Sequence, residues 1–248
     1  QNVFPCFILD KTLLDQIGSN LPRAQYLLNA LQELDAALRE HGSQLHVIYS
    51  NPVDAIKQLQ NNFKAEAVFF HRDISPYAIR RDTALQVHCE KYGMAYHVIN
   101  DIALHPPQQT LKADGTPYTV FTPFFRRAFM LPVERPQKLV AKNIAQQTSE
   151  KTSLSSAMQV ASLSIHQTTS PNAQAKKALQ HLTHLQDYEN TRDIPAEFGT
   201  SRLSAALRFG IISSREAWWA ITNTLGNEHP LLRQLYWRDF FFSIGLYF

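Results

Sequence analysis

Short apolar runs alternate with longer segments of helical periodicity over the first hundred residues. The apolar runs predict four buried strands, at Val3–Leu9, Leu45–Tyr49, Ala67–Phe70 and Ala95–Ile99. The helical segments between them are Arg23–Glu40, Val53–Phe63 and Tyr77–Tyr92. Strands that alternate with long helices are typical of βαβ units, in which helices cover both faces of a parallel sheet. The sequence therefore predicts an α/β domain over residues 1–131.

The alternation stops after Asp101, where the pattern changes twice. Residues 112–125 contain an Asp-Gly turn, a short β-prone stretch and Pro123. Residues 132–172 are rich in Gln, Ser, Thr and Lys, which predicts an interdomain connector that is at most partly helical. Helical patterns then resume and predict the start of an all-α domain over residues 173–248. Its predicted helices are Ala173–Tyr188, Ser204–Phe209, Ser213–Thr224 (which opens with a capping-box pattern) and Leu231–Phe248.

Composition excludes several classes of protein. The chain has 44% hydrophobic residues and no Gly-X-Y period, so it is neither disordered nor collagen-like. No window approaches the roughly 18 uninterrupted apolar residues of a transmembrane helix. The two cysteines, Cys6 and Cys89, cannot staple a secreted scaffold, so we expect a reduced, cytoplasmic protein. The net charge is +3 and the excess lies in residues 132–248, which is compatible with a polyanionic partner without requiring one.

One segment has the composition of a phosphate site. The residues from Gly199 to Ser204 combine a flexible glycine, three hydroxyls and an arginine just before a predicted helix. Main-chain N–H groups at a helix N-terminus, together with an arginine, form an anion site. The alternative is an ordinary loop in which Ser204 caps the helix. Neither a Walker A sequence nor a G-x-G-x-x-G motif occurs, so the α/β domain need not bind a dinucleotide.

Two other segments allow both a structural and a functional interpretation. Arg192 can pair with a neighbouring acid, or it can contact a nucleic-acid phosphate. Gln234, Trp237 and Arg238 lie in one predicted helix. They either belong to a buried aromatic face or place a base-stacking tryptophan beside an amide and a cation, which suits an extruded base. No metal-ligand set and no Ser/His/Asp arrangement is evident, so no metal-binding and no catalytic residue is predicted.

Ordered motifs along nearly the whole chain resemble the DNA photolyase/cryptochrome flavoprotein family. The similar segments occur in the family's order: Pro5–Asp10, Asp73–Ala78 with Arg81 and Asp82, Gly115–Phe124, Tyr188–Gly210 and Trp237–Phe240. The third and fourth segments are the most specific of these. The predicted connector shows no useful similarity. The resemblance implies a Rossmann-like antenna domain followed by a helical FAD-binding domain.

The resemblance also implies an activity and its residues. It indicates a light-driven lyase that repairs pyrimidine dimers in DNA by electron transfer from reduced FAD. The residues it assigns to FAD are Tyr188, Thr200, Ser201, Arg202, Leu203 and Ser204. The residues it assigns to DNA are Arg192, Gln234, Trp237 and Arg238. A second antenna chromophore of the folate or deazaflavin type, a monomeric state and no membrane partner are implied as well.

Two positions depart from the family's patterns. Gln234 stands where dimer-splitting members carry a glutamate, and glutamine is more typical of (6-4) photolyases and animal cryptochromes. The alternative functions are therefore a (6-4) photolyase or a cryptochrome-type blue-light receptor. Ala78 stands where some folate-antenna members place an acidic ligand, so the antenna pigment is open. A third hypothesis is a nucleotide-binding protein such as an electron-transfer flavoprotein. It would explain the pattern of residues 1–100, but it would not explain the motifs around Gly199 and Trp237.

The ends of the chain lie inside apolar runs, at Gln1 and at Phe248, which predicts a fragment. By resemblance it lacks the family's first strand, which lies centrally in the sheet, and the C-terminal part of the FAD domain. We therefore expect the strands to form two half-sheets rather than one sheet. The expected pairs are Val3–Leu9 with Leu45–Tyr49, and Ala67–Phe70 with Ala95–Ile99. We also expect the chain alone to be inactive in repair.

Overall fold

The computed structural model describes residues 2–17, 22–137, 143–146, 148–166 and 169–248. Within these residues the strands are β1 (Cys6–Asp10), β2 (His46–Ser50), β3 (Ala67–His71) and β4 (Ala95–Ile99). The helices are α1 (Lys11–Ile17), α2 (Pro22–Glu40), α3 (Pro52–Phe63), α4 (Pro76–Lys91), α5 (Phe121–Phe129), α6 (Leu154–Val160), α7 (Pro171–Gln180), α8 (Tyr188–Thr191), α9 (Ser204–Phe209), α10 (Ser214–Leu225) and α11 (Pro230–Tyr247). The predicted order of an α/β part followed by a helical part is confirmed.

The strands pair in the two half-sheets that the sequence predicts. β1 and β2 are parallel and form one two-stranded sheet, and β3 and β4 form the other. At one end of the second sheet the Ala95 N–H donates to the Glu66 carbonyl at 2.9 Å. At the other end the Arg72 N–H donates to the Ile99 carbonyl at 3.0 Å. The two strands therefore run in the same direction, as in βαβ units.

The described residues belong to two compact units, each with its own apolar core. The first unit draws on Gln1–Val68, Thr83–Ala95 and Lys138–Ala173, and the second on Phe69–Asp82, Tyr96–Gln137 and Gln174–Phe248. These units interleave along the chain, whereas the domains predicted from sequence follow one another. The residues after β4 belong to the helical unit because they hydrogen-bond to α10 and α11.

The core of the first unit lies between the β1–β2 sheet and helices α2 and α6. Leu31 and Leu38 reach it from α2, at the helical spacing that predicts this helix. Its buried side chains are Leu9, Leu31, Leu38, Leu45, Val47, Leu154 and Ala157. Two of these come from α6, so part of the predicted connector is a packed element of this unit.

Hydrogen bonds between side chains and the main chain hold the segment before α6 in the same unit. The Gln44 side chain donates to the Ser149 carbonyl at 3.0 Å and accepts from the Ser149 N–H at 2.9 Å. The Ser43 hydroxyl donates to the Ala145 carbonyl at 2.6 Å. Such bonds fix a chain whose apolar periodicity is too weak to predict its structure. Residues 138–142, 147, 167 and 168 of the predicted connector lie outside the described residues.

Helix α5 replaces the β-prone stretch that the sequence predicts before Pro123. This helix begins at Phe121, so Pro123 lies in its first turn. Main-chain N–H groups in a first turn have no acceptor within the helix, and a proline is therefore tolerated there. The prediction of a β-prone stretch is wrong because the aromatic side chains of α5 are buried on one helical face, at Phe121 and Phe124.

The helix predicted over residues 173–188 is broken near its C-terminal end. It consists of α7, a 3₁₀ turn over Leu182–Leu185 and the short helix α8. The ring Nδ1 of His181 lies 2.8 Å from the Lys177 carbonyl oxygen. A histidine that bonds a carbonyl in the last turn satisfies a group that the helix leaves without a partner. α7 therefore ends at this point.

The core of the second unit packs α5 and α10 against α11. Its largest fully buried side chains are Phe124, Leu104, Leu182, Leu185, Ile221, Leu232 and Tyr236. Among the described residues, none of the helices combines the length and the apolarity needed to cross a bilayer. The loop before α9 and one face of α11 meet at the edge of this core.

Candidate functional site

A cavity of about 480 Å³ lies in the second unit, between the loop before α9 and one face of α11. The loop contributes Ser201 and Leu203, and Ser204 is the first residue of α9. α11 contributes Gln234 and Arg238. The other apolar side chains around these groups are Ile74, Ile102, Leu207, Ile221, Leu231, Leu235, Phe241 and Phe242. The structure therefore brings part of the predicted FAD set together with part of the predicted DNA set.

The loop before α9 is fixed by a close approach of two main-chain segments. A Cβ added at Gly199 would lie 2.3 Å from the Thr191 carbonyl oxygen, so only glycine fits. Arg202 has φ +52, a left-handed conformation that few side chains adopt. Its guanidinium carbon lies 4.9 Å from the centroid of the Phe198 ring. Arg202 therefore points at Phe198 and does not line the cavity.

The hydroxyls that predict an anion site are divided between two environments. Ser201 and Ser204 line the cavity, whereas Thr200 lies outside it. The N-cap of α9 is Leu203, and no side chain caps this helix. The alternative interpretation of Ser204 as the N-cap is therefore wrong. The first turn of α9 keeps main-chain donors beside two serine hydroxyls.

Tyr188 and Arg192 stack on each other beside the same loop, outside the cavity lining. Tyr188 is 6% exposed, and burial raises the pKa of its hydroxyl while nearby Arg192 opposes that rise. The Arg192 guanidinium carbon lies 5.8 Å from the centroid of the Tyr188 ring. Its Nε lies 3.4 Å from Oδ2 of Asp193. The structural pair considered for Arg192 is therefore present, in an exposed position where such pairs contribute little to stability.

Helix α11 presents two different faces. Gln234, Arg238 and Phe242 recur every four residues along the cavity. Trp237 lies away from that face, and its ring stacks on Phe121 of α5 with centroids 3.6 Å apart and an interplanar angle of 7°. Trp237 is thus part of the aromatic core, as in the structural interpretation of this segment.

Hydrogen bonds of Arg238, on α11, connect the loop after β4 with α10. Its Nη1 donates to the Ile102 carbonyl at 2.9 Å and to the Ser214 hydroxyl at 3.0 Å. The Ser214 hydroxyl donates to the same carbonyl at 2.9 Å. Arg215 of α10 and Asp101 of the loop after β4 form an ion pair that connects the same two elements. Because Ile102 lines the cavity, these bonds position one of its walls.

Asp239 completes this network from inside the core. It is 6% exposed, and its Oδ2 accepts from the Leu104 N–H at 2.8 Å. Its Oδ1 lies 3.5 Å from Nη1 of Arg238. Burial raises the pKa of the Asp239 carboxyl to about 7, and the opposing influences of the Leu104 N–H, Arg238 and Arg215 are smaller. The carboxyl therefore titrates near neutral pH.

Part of the cavity wall is missed by reasoning from sequence. Asp73 and Ile74 reach the cavity from the loop after β3, and Arg208 reaches it from α9. Nη2 of Arg208 lies 3.8 Å from Oδ2 of Asp73. These residues fall inside segments that resemble the family, so the resemblance could have indicated each of them as a candidate. That they meet at one cavity is a consequence of tertiary structure.

Comparisons with known sequences identify one family. Residues 1–138 match the sequence model described as DNA photolyase. An uncharacterized 31.6 kDa protein in the atpI 5' region of Synechococcus sp. PCC 6716 is 32% identical, over 94% of this chain and 88% of that protein. The deoxyribodipyrimidine photo-lyase of Synechococcus sp. PCC 6301 is also 32% identical, over 95% of this chain and 53% of that enzyme. The chain thus spans about half the length of that photo-lyase.

Solved structures and a more distant relative agree with this result. An archaeal photolyase from Sulfolobus tokodaii, solved with two FAD molecules, has a TM-score of 0.78 and 25% identity over 100% of this chain and 54% of its own. A Synechocystis sp. PCC6803 cryptochrome has a TM-score of 0.80 at 17% identity, over 99% of this chain and 56% of its own, and shows the same fold. Cryptochrome-1 of Aedes aegypti is 24% identical over 99% of this chain and 52% of its own. The family's sequence model matches more than half of the chain, and the chain is 32% identical to a relative of which it covers 88%. This chain therefore belongs to the DNA photolyase family.

Proposed function

We propose that this chain provides the antenna unit and the FAD-phosphate site of a deoxyribodipyrimidine photo-lyase, which repairs pyrimidine dimers in DNA with light. The observation that supports this most is the cavity that joins the serine hydroxyls of the α9 loop to Gln234 and Arg238 of α11. The chain spans about half of the photo-lyase it resembles at 32% identity, so activity, substrate and partners are part of the proposal.

The groups around the cavity fit the phosphate end of FAD. Ser201 and Ser204 supply hydroxyl donors, and Arg208 and Arg238 supply guanidinium groups. The carboxylate of Asp73, which lies 3.8 Å from Arg208, and the amide of Gln234 also line the cavity. Apolar side chains form the rest of the wall, which suits an organic ligand. When bound, FAD would supply the light-driven electron transfer. The residues of this chain would bind it and orient its phosphates.

The remaining residues assigned to FAD lie outside the cavity lining. Tyr188 packs beneath Arg192, Thr200 is exposed, and Arg202 points at Phe198. Our proposal gives Tyr188 a supporting role, because its buried ring holds α8 next to the loop that carries Ser201. Direct contact of Thr200 or Arg202 with FAD stays a prediction.

The residues assigned to DNA differ in how freely they could reach it. Arg192 is exposed and keeps donors for a phosphate beside its pair with Asp193. Gln234 offers an amide within the cavity. Trp237 is stacked on Phe121, and Arg238 is bonded to a main-chain carbonyl. DNA contact by these last two residues stays a prediction.

A cryptochrome-type light receptor, or a (6-4) photolyase, is the second candidate function. The observation that favours it is Gln234, an uncharged amide at a cavity position where the resemblance implies a glutamate in dimer-splitting enzymes. The candidates for the antenna chromophore are of the folate and the deazaflavin types. The archaeal photolyase with two FAD molecules adds a flavin to these candidates.

Affinity for damaged DNA separates these functions. We expect the purified chain to bind a duplex with one lesion at least tenfold more tightly than the undamaged duplex, measured by fluorescence anisotropy with a cyclobutane dimer and a (6-4) product in turn. The lesion with the higher affinity identifies the substrate class. Equal affinity for all three duplexes contradicts the repair function and favours the light receptor.

The substitution Gln234→Glu tests the role of this side chain in lesion choice. We expect it to shift the ratio of affinities towards the cyclobutane dimer by about threefold or more, because a charged acceptor then faces the cavity. Gln58→Glu, on an exposed position of α3 in the first unit, makes the same chemical change as a control. A ratio that moves equally in both variants shows that overall charge, and not Gln234, sets the preference.

A further inference from the structure

Two pairs of guanidinium and aromatic ring lie next to each other outside the cavity. Arg192 lies over Tyr188, with 5.8 Å from guanidinium carbon to ring centroid, and Arg202 lies over Phe198 at 4.9 Å. The main chain at Gly199 joins the two pairs, because it packs directly against Arg192. Both pairs are therefore carried by main-chain segments that touch at Gly199, and we call them together the arginine–aromatic surface.

Phe198 is the exposed aromatic ring of this surface, whereas Tyr188 is buried. The Phe198 side chain is 71% exposed, so the ring area that Arg202 leaves uncovered meets solvent. An exposed phenylalanine alone needs no explanation. This one is held in place, however, by a glycine that admits no Cβ and by a guanidinium stacked on the ring. A ring that is already positioned loses little conformational freedom when a ligand stacks on it.

The charges around Phe198 restrict the kind of ligand that the surface can hold. Glu189, Asp193 and Glu197 are exposed on residues 188–202, so with Arg192 and Arg202 the formal charge of this segment is −1. Charge alone therefore does not attract a polyanion here. A ligand must offer a flat aromatic face together with single anionic groups. A nucleotide offers both, since its base stacks on a ring and its phosphates accept hydrogen bonds from guanidinium groups.

We propose that Phe198 is a stacking platform for one unpaired base of a DNA strand, and that Arg192 and Arg202 donate to the flanking phosphates. The inference takes its partner, DNA, from the proposed function. It adds a residue that no sequence motif indicates, and it gives the Arg202 side chain a role besides the FAD contact predicted from sequence. A base is free to stack in this way when it is unpaired in a single strand or beside a lesion.

Binding of the whole chain to a labelled single-stranded dodecathymidylate, measured by fluorescence anisotropy at several salt concentrations, tests the platform. We expect Phe198→Ala to weaken binding about tenfold, because a base–aromatic stack is lost. The salt dependence should not change, because no charge is removed. Phe198→Tyr keeps the ring and should bind within twofold of the unmodified chain. An unchanged urea midpoint for Phe198→Ala excludes a failure to fold as the cause of weaker binding.

Matched variants separate stacking from charge. Arg192→Gln and Arg202→Gln should each reduce the slope of log K against log salt by about 0.7, the value for one phosphate contact on a single strand. Phe248→Ala removes a phenylalanine that is 76% exposed and lies outside the arginine–aromatic surface. It should leave binding unchanged.

Three results would overturn the inference, and they differ in what they leave standing. Equal affinity of Phe198→Ala and the unmodified chain removes the platform but keeps DNA as the partner. Failure of the unmodified chain to bind any oligonucleotide removes both the platform and the proposed DNA partner. Displacement of the oligonucleotide by oligoglutamate at equal charge identifies an acidic peptide, and not a nucleotide, as the occupant of the surface.

Discussion

Replacing Asp239 with alanine is expected to destabilise the second unit by about 3 kcal/mol. The substitution leaves the Leu104 N–H, which donates to Asp239 at 2.8 Å, without its acceptor. It also removes the carboxyl group that faces Arg238. Urea unfolding followed by tryptophan fluorescence measures the loss, because the three tryptophans of the chain, Trp218, Trp219 and Trp237, lie in this unit.

The variant Asp239→Asn isolates the contribution of the charge. Its amide oxygen still accepts from the Leu104 N–H, so most of the stability should return. Burial raises the pKa of Asp239 to about 7. The folded state therefore keeps this proton up to about pH 7, whereas the unfolded state releases it near pH 4.

The sign of the pH dependence follows from this difference in proton binding. The folded state binds more protons than the unfolded state between about pH 4 and pH 7, so the contribution of Asp239 to stability falls as the pH rises through this range. For one group the fall is at most about 1.4 kcal/mol per pH unit. The difference in unfolding free energy between the unmodified chain and Asp239→Asn should show this slope. A difference that stays constant from pH 4 to pH 7 contradicts it.

Replacing Gly199 with alanine is expected to cost about 3 kcal/mol, at the upper end of the usual cost of overpacking. The new Cβ would lie 2.3 Å from the Thr191 carbonyl oxygen and 2.9 Å from the Arg192 main-chain nitrogen. Neither neighbour is a flexible side chain, so α8 and the loop before α9 must move apart. Urea unfolding reports the loss of stability. A weaker affinity for FAD reports the displacement of Ser201.

Gly210→Ala is the matched control for this substitution. Gly210 has φ +72 and no atom within 4 Å of the position of an added Cβ, so alanine there meets backbone strain without a clash. We expect a loss of about 1 kcal/mol and an unchanged affinity for FAD. If the two variants lose equal stability, the close approach at Gly199 does not fix the loop.

Local patterns predict most of the fold. The predicted helix Ser204–Phe209 has the bounds of α9, and the capping box formed by Ser213 and Glu216 is present at the start of α10. Both depend on spacing within a few residues, which a sequence displays directly. α5 is not predicted, because a proline such as Pro123 usually indicates the end of a helix. It is compatible with a helix only in the first turn, and the sequence does not show where that turn begins.

The site is harder to predict, since its contacts join distant parts of the chain. The hydrogen bond between Leu104 and Asp239 spans 135 residues. The motifs place Arg202 in the loop before α9 and Trp237 in α11. Their directions, towards Phe198 and Phe121, depend on backbone conformation and packing that the motifs do not contain. Spacing therefore locates the segments of the site, and tertiary structure decides which side chains face the cavity.

We propose that the cavity beside Ser201 and Ser204 holds the phosphate end of FAD. Competition binding to the purified chain, with FAD as the labelled ligand and ADP or riboflavin as the competitor, measures this. ADP should displace FAD, riboflavin should not at the same concentration, and the double variant Ser201→Ala/Ser204→Ala should weaken FAD binding at least about tenfold. Thr224→Ala, on an exposed position of α10, should leave it unchanged. Riboflavin that competes as well as ADP, or FAD affinity that the double variant leaves intact, would contradict the claim.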